Sequence, residues 1–124
     1  DIFSRSVADM LTLTLEVFEK EDALLGREAE SLLRVVTELG AEIRKRHIKR
    51  LRKGKCTISL GFLLTDIITA GAMVAMHCSH IALSAMEAHE ETYSVHGHKD
   101  MLWQDEAGEL QQLYHSMKDR YVLP

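Results

Sequence analysis

The sequence predicts an all-α protein, an up-down-up three-helix bundle of the spectrin-like kind with a shorter fourth helix at its C-terminal end. One proline and seven glycines leave long stretches of the 124 residues without a helix breaker. Apolar residues recur at steps of three and four, which is the period of an amphipathic helix, and strand-like alternation is scarce. Because short turns join the three long helices, we expect consecutive helices to run in opposite directions.

The composition predicts a single globular domain covering residues 1–124. A hydrophobic content of 46% and a charged content of 27% are typical of a chain with a packed core. The net charge of −4 argues against a general nucleic-acid binder. Cys56 and Cys78 are expected to be separate, reduced thiols. The chain starts at Asp1 without a signal-peptide pattern, and we expect it to be a piece of a longer protein.

The first helix is predicted at about residues 4–25. Ser6 with Asp9 resembles a capping box, and Gly26 is a plausible stop. The predicted apolar stripe consists of Val7, Met10, Leu11, Leu15 and Phe18. The predicted outer face is acidic and consists of Glu16, Glu19, Glu21 and Asp22.

The second helix is predicted at about residues 27–53, with Glu28 and Glu30 in its first turn, where carboxylates suit the helix dipole. Gly54 should end it. The predicted core-facing residues are Leu32, Val36, Leu39, Ile43, Ile48 and Leu51. Its last part, with the residues after it, holds eight of the fifteen basic residues of the chain. These are Arg44, Lys45, Arg46, Lys49, Arg50, Arg52, Lys53 and Lys55.

The third helix should start at Thr57, a candidate cap, run to about Glu90, and form the central helix of the bundle. From Thr57 to Met86 its only formal charge is Asp66. One narrow line is less apolar and should reach water: Ser59, Asp66, Thr69, His77, His80, Ser84, Glu87 and Glu91. The opposite side is mostly small and should admit a neighbouring helix: Leu64, Ile68, Gly71, Ala75, Cys78, Ala82 and Met86.

This third helix is also about as long as a membrane span. Its polar and glycine residues would make a poor lipid-facing surface, so burial by protein is the favoured interpretation. An apolar surplus of this size predicts a homo-oligomer contact or a contact between domains. A polar loop at 93–100 should follow, then a fourth helix at about 103–120. The helical repeat of that last segment comprises Trp103, Ala107, Leu110, Tyr114, Met117 and Tyr121.

Histidines are the first candidates for chemistry. His77 and His80 lie about one turn apart, so both could bind one transition metal. The favoured alternative is that they are solvated or hydrogen-bonded, because the sequence names no further ligand for a metal there. A looser set near the loop comprises His89, Glu90, Glu91, His96 and His98. Since no nucleophile–base pair and no glycine-rich phosphate loop stand out, we expect no enzyme activity and no cofactor.

The basic run is the second candidate. Cations beside a bilayer attract anionic lipid. The alternative is a solvated helix end, in which the cations suit the C-terminal dipole. The residues predicted to contact a membrane or a partner are Arg44, Lys45, Lys49, Arg50, Arg52 and Lys53.

Four segments together carry a family resemblance. Residues 47–51 read HIKRL, residues 54–56 read GKC, residues 77–82 read HCSHIA, and residues 120–123 read RYVL. In this order they resemble the PhoU-like helical domain, in particular the version at the C-terminal end of bacterial sodium/phosphate cotransporters. The resemblance covers nearly the whole chain.

The resemblance implies a regulatory or interaction domain of a sodium-dependent phosphate transporter, cytoplasmic and associated with the cell membrane through the parent protein. Its implied partners are the transporter's membrane domain or a second copy of the chain. Two alternatives stay open: a free-standing PhoU-like regulator of phosphate uptake, and a metal-binding helical bundle. The family's metal-binding acids correspond to non-acidic positions, so the metal site is not carried over. Those positions are Val35, Thr37, Ala72, Met73 and Met76.

Overall fold

The computed structural model describes residues 1–20, 22–88 and 108–124, and this part of the chain is helical without strands. Its helices are α1 (Ile2–Lys20), α2 (Ala23–Arg52), α3 (Ile58–Glu87) and α4 (Glu109–Arg120). The all-α prediction with three long helices and one short helix is confirmed. The predicted loop at 93–100, the start of the predicted fourth helix at 103–107 and the looser histidine set at 89–98 lie outside the described residues.

The boundary between α1 and α2 differs from the predicted one. The Asp22 side chain caps α2 by accepting a hydrogen bond from the Leu24 N–H at 2.8 Å. Gly26 therefore lies inside α2 and does not end a helix. A Cβ atom at Gly26 would overlap the Met86 side chain of α3, so this glycine allows close helix packing. The prediction that Glu28 and Glu30 occupy the first turn of α2 was wrong for the same reason.

The predicted capping box at the start of α1 was also wrong. Helix α1 already begins at Ile2, and Ser6 lies inside it. The Ser6 hydroxyl donates to the Phe3 carbonyl oxygen at 2.7 Å and is fully buried. A local bond to the preceding turn thus satisfies this hydroxyl, and no cap is required of it.

The predicted stripe of α1 mixed two faces of the helix. Phe3, Met10 and Val17 are buried, together with two small polar residues, Ser6 and Thr14. Three predicted core residues are instead exposed: Leu11, Leu15 and Phe18. Each follows a buried residue directly, and one step along an α-helix turns the side chain by about 100°. They therefore form a second apolar stripe that the described chain does not cover.

Helix α2 is the central helix, whereas α3 was predicted to be. It packs extensively against α1, α3 and α4, while α3 packs against α1 and α2. Leu32, Val36 and Leu39 are buried as predicted, but Ile48 is exposed. Ile48 directly follows His47, which packs against α3 at Gly61, and one step along an α-helix turns the side chain by about 100°. Past Arg52 the backbone turns at Gly54, whose φ is +65°, and this confirms the predicted end of the helix.

The small-residue side of α3 is buried, as predicted. Thr57 caps the helix by accepting from the Leu60 N–H at 3.3 Å. Along the packed side the buried residues are Ile68, Ala75, Cys78, Ala82 and Met86. A Cβ atom at Gly71 would lie 2.6 Å from Cε1 of Phe3 in α1. The helices thus approach closely because these side chains are small.

Helix α4 is held against α2 and α1 by two tyrosines. The Tyr114 hydroxyl donates to the Glu38 carboxylate, and Lys118 Nζ lies 3.2 Å from the same carboxylate. The Tyr121 hydroxyl, just past the end of α4, donates to Asp9 Oδ2 at 2.7 Å. Predicted core residues of this segment are buried: Leu110, Tyr114, Met117 and Tyr121.

Tyr121 predicts a pH dependence of stability. Burial, followed by the hydrogen bond to Asp9 and the charge of Asp9, raises the pKa of Tyr121 from 10.0 to about 12. The pKa of Tyr121 is thus higher in the folded state than in the unfolded state. The stabilisation of the fold by the neutral hydroxyl is therefore complete below about pH 10 and is lost as pH rises through about 12. We expect the melting-temperature difference between the wild type and Tyr121→Phe to shrink over that window. A difference that stays constant across that window would contradict this prediction.

Candidate functional site

The eight basic residues of the predicted basic run lie on a hairpin, which is formed by the last turns of α2, the turn after it and the first turns of α3. We call residues 43–65 the basic hairpin. All eight of its Lys and Arg residues are exposed, including the six that the sequence predicts as contacts: Arg44, Lys45, Lys49, Arg50, Arg52 and Lys53. The segment contains no Asp or Glu, so all nineteen acidic residues of the chain lie elsewhere.

Some of these cations already have partners within the chain. Arg44 Nη2 donates to Thr69 Oγ1 of α3 at 3.0 Å, and Arg46 Nε pairs with Glu42 Oε1 at 2.9 Å. The hydrogen bond from Arg46, joined by the charge of Lys45, holds the pKa of the Glu42 carboxyl below its usual range. No carboxylate of the described residues lies within ion-pair distance of the other four predicted contacts. Those four are Lys49, Arg50, Arg52 and Lys53.

A histidine–cysteine contact joins the two sides of the basic hairpin. His47 Nδ1 lies 3.6 Å from Cys56 Sγ, and both side chains are partly buried. A Cβ atom at Gly61 would lie 2.7 Å from His47 Nε2, so the imidazole packs directly on the α3 backbone. These contacts hold the end of α2 beside the start of α3.

Large apolar side chains are exposed among the cations. Ile58 is 65% exposed and Phe62 is 70% exposed. Further exposed apolar residues of the hairpin are Ile48, Leu60 and Leu63. The basic hairpin therefore presents cations and hydrocarbon together, which is unlike an ordinary solvated helix end.

The exposed apolar surface continues along α3. Beyond the hairpin it includes Ile67, Met73, Val74, Met76 and Ile81. By length and composition alone, α3 is able to cross a membrane, and only 11% of its most apolar window is buried within the chain. The described part of the chain covers only the small-residue side of α3, and burial of the remaining surface by protein stays a prediction.

The less apolar line of α3 reaches solvent as predicted. Asp66 is exposed, and so are Ser59, Thr69, His77, His80 and Ser84. Glu87 is half-buried, and Glu91 lies outside the described residues.

The two histidine candidates lie side by side on this solvent-facing line. The ring centroids of His77 and His80 are 6.4 Å apart, with the rings edge to face. Within the described residues no group of three or more His, Cys, Asp or Glu side chains could hold a metal ion. The described residues thus supply no third ligand for a metal ion at His77 and His80.

Sequence reasoning missed a buried polar contact between α2 and α3. Glu30 is 2% exposed and accepts a hydrogen bond from the Ser79 hydroxyl, which is fully buried. Four consecutive residues of α2, Ala29–Leu32, are buried here, since α2 has neighbours on several sides. Four buried residues in a row do not follow the 3.6-residue period of an amphipathic helix, and no other signal in the sequence indicates them.

Comparison with family models, with curated proteins and with solved structures finds no match to this chain.

Proposed function

We propose that the chain is a non-enzymatic interaction domain that regulates a sodium-dependent phosphate transporter from the cytoplasmic side of the cell membrane. The proposal rests on the PhoU-like segments, which lie in the basic hairpin, on α3 and at the C-terminal end. The observation that carries it beyond resemblance is the exposed apolar surface of α3. A surface of this kind is typical of a site that a protein partner or a membrane covers.

The same proposal includes the up-down-up order of the PhoU-like bundle. Contacts between α2 and α3 support it, because they pair Gly26 with Met86, Gly40 with Ile68, and His47 with Gly61. Residue numbers rise on α2 as they fall on α3, as expected for antiparallel neighbours. Phe3, near the start of α1, packs at both Gly40 and Gly71.

In this proposal the uncovered surface of α3 docks on the membrane domain of the transporter or on a second copy of the chain. Large aliphatic and methionine side chains supply most of the free energy when they leave water. The short α4 does not compete for this surface, since it packs on α2. A free-standing regulator of phosphate uptake would use the same surface on its transporter or sensor kinase, and it remains the second candidate.

Sodium-driven phosphate uptake in cells carrying the native gene tests this proposal. Val74→Arg with Ile81→Arg places two cations on the exposed apolar surface of α3. We expect altered uptake with an unchanged melting temperature, because both side chains are solvent-exposed in the folded chain. The matched control, Gln112→Arg with Ser116→Arg on the exposed side of α4, should leave uptake unchanged.

Uptake equal to the wild type in the α3 double variant would overturn the proposal, as would sodium-driven uptake that does not depend on the gene. Membrane spans encoded directly before residue 1 would separate a transporter domain from a free-standing regulator.

A further inference from the structure

We propose that the basic hairpin docks on an anionic lipid bilayer, with its cations at the headgroups and Ile58 and Phe62 in the interfacial layer. This inference goes beyond the proposed function and requires no transporter, since it depends only on exposure and charge within this chain.

The hairpin's apolar side chains lie on the same flank as several of its cations. The bond from Arg44 to Thr69 places both residues on the flank where α2 and α3 meet. Residues four or seven apart share a helix face, so Ile48 and Arg52 follow Arg44 on α2. By the same rule Phe62 and Ile58 share the face of Thr69 on α3. One flank therefore carries three exposed apolar residues between two exposed arginines. The apolar residues are Ile48, Ile58 and Phe62, and the arginines are Arg44 and Arg52.

The charge distribution orients this flank toward a negative surface. The basic hairpin has eight cations and no acid, whereas the whole chain has a net charge of −4. An anionic bilayer would attract the hairpin and repel the acidic remainder, so the bundle would dock by this end. Each Lys or Arg near such a surface contributes about 1 kcal/mol, a factor of about five in partitioning.

Other occupants fit these features less well. Two copies related by a twofold axis would bring one set of eight cations against the other. A nucleic acid would use the cations, but it would leave Ile58, Phe62 and Ile48 without a role. An interfacial layer accommodates both, because it has phosphates outside and hydrocarbon directly beneath.

Flotation with phosphatidylcholine vesicles, with and without phosphatidylglycerol, tests the charge requirement. We expect binding only to the anionic vesicles, and a loss of binding as salt is raised. Arg52→Gln with Lys53→Gln should lower partitioning about thirtyfold. The control, Lys20→Gln at the end of α1 with Arg27→Gln near the start of α2, removes the same charge far from the hairpin, with Arg27 about 38 Å from Arg52 along α2. It should change partitioning much less.

A second set of variants tests insertion of the apolar side chains. Phe62→Ser should lower partitioning about tenfold, whereas Phe18→Ser, at a similarly exposed position near the end of α1, should not. In a Trp103→Phe background, brominated lipid should quench the tryptophan fluorescence of the Phe62→Trp variant. It should not quench that of the Phe18→Trp variant. Circular dichroism of each variant confirms that the fold is retained.

Absence of binding to anionic vesicles at low salt would overturn the proposal. Equal losses in the hairpin and control charge variants would overturn it too. Vesicle binding without quenching of Phe62→Trp would overturn the insertion of this flank, and a Phe62-dependent dimer without vesicle binding would assign the flank to a second copy. Because the assay contains no transporter, its outcome is independent of the phosphate-uptake experiment.

Discussion

Ile68→Ala is expected to lower the free energy of unfolding by about 2–5 kcal/mol. Ile68 is 2% exposed, and its Cγ2 atom lies 2.7 Å from the position that a Cβ atom at Gly40 would occupy. The Phe3 ring of α1 borders the same point, so the three long helices meet there. Truncation removes hydrocarbon from this contact and leaves a cavity that helix backbones on three sides keep from collapsing.

Ile67→Ala provides the matched control, since the neighbouring isoleucine on the same helix is 50% exposed. We expect a change within about 0.5 kcal/mol for it. Urea unfolding followed by circular dichroism at low protein concentration measures both variants without a contribution from association. Equal losses at the two positions would show that the small-residue side of α3 does not face the core.

The packing of α3 could be predicted from the sequence because its cause is local. Two backbones approach closely only where side chains are small, so Gly71, Ala75 and Ala82 mark the contact side whatever the neighbour is. The exposure of the cations was equally accessible, since isolated Lys and Arg side chains are rarely buried. The first feature places the packed side of α3, and the second marks the basic hairpin.

The boundary after α1 could not be predicted because two valid signals compete there. Gly26 is a common helix stop, and Asp22 is a common N-cap, only four residues earlier. The contact of Gly26 with Met86 decides between them, and that contact joins residues far apart in the chain. A glycine needed for close packing and a glycine needed for a turn are identical in sequence.

The central position of α2 could not be predicted from the sequence for a related reason. Hydrophobicity favours α3 as the central helix, but α4 packs on α2 through Tyr114 and Glu38. This covers α2 further and leaves the apolar outer surface of α3 open. The buried contact between Glu30 and Ser79 depends on the same arrangement, in which polar partners meet only after the helices have assembled.

The second large effect is expected for Ala75→Leu, which should lower the free energy of unfolding by about 1–3 kcal/mol. Ala75 is 0% exposed and lies one turn beyond Gly71, whose contact with Phe3 shows how closely α1 and α3 approach. A leucine has no room there, so it must push α3 away from its neighbours or adopt a strained rotamer.

Ala70→Leu makes the identical substitution at an exposed position of the same helix, where leucine and alanine have similar helix propensity. We expect the stability of this control to stay within about 0.5 kcal/mol of the wild type. Thermal unfolding of both variants measures the difference, and Gly71→Leu should follow Ala75→Leu in sign. Unchanged melting of Ala75→Leu and Gly71→Leu would mean that this side of α3 faces no neighbour. In that case α3 would pack on the bundle through its large apolar residues. The small-residue side of α3 would then be exposed, and the docking surface would have to lie there.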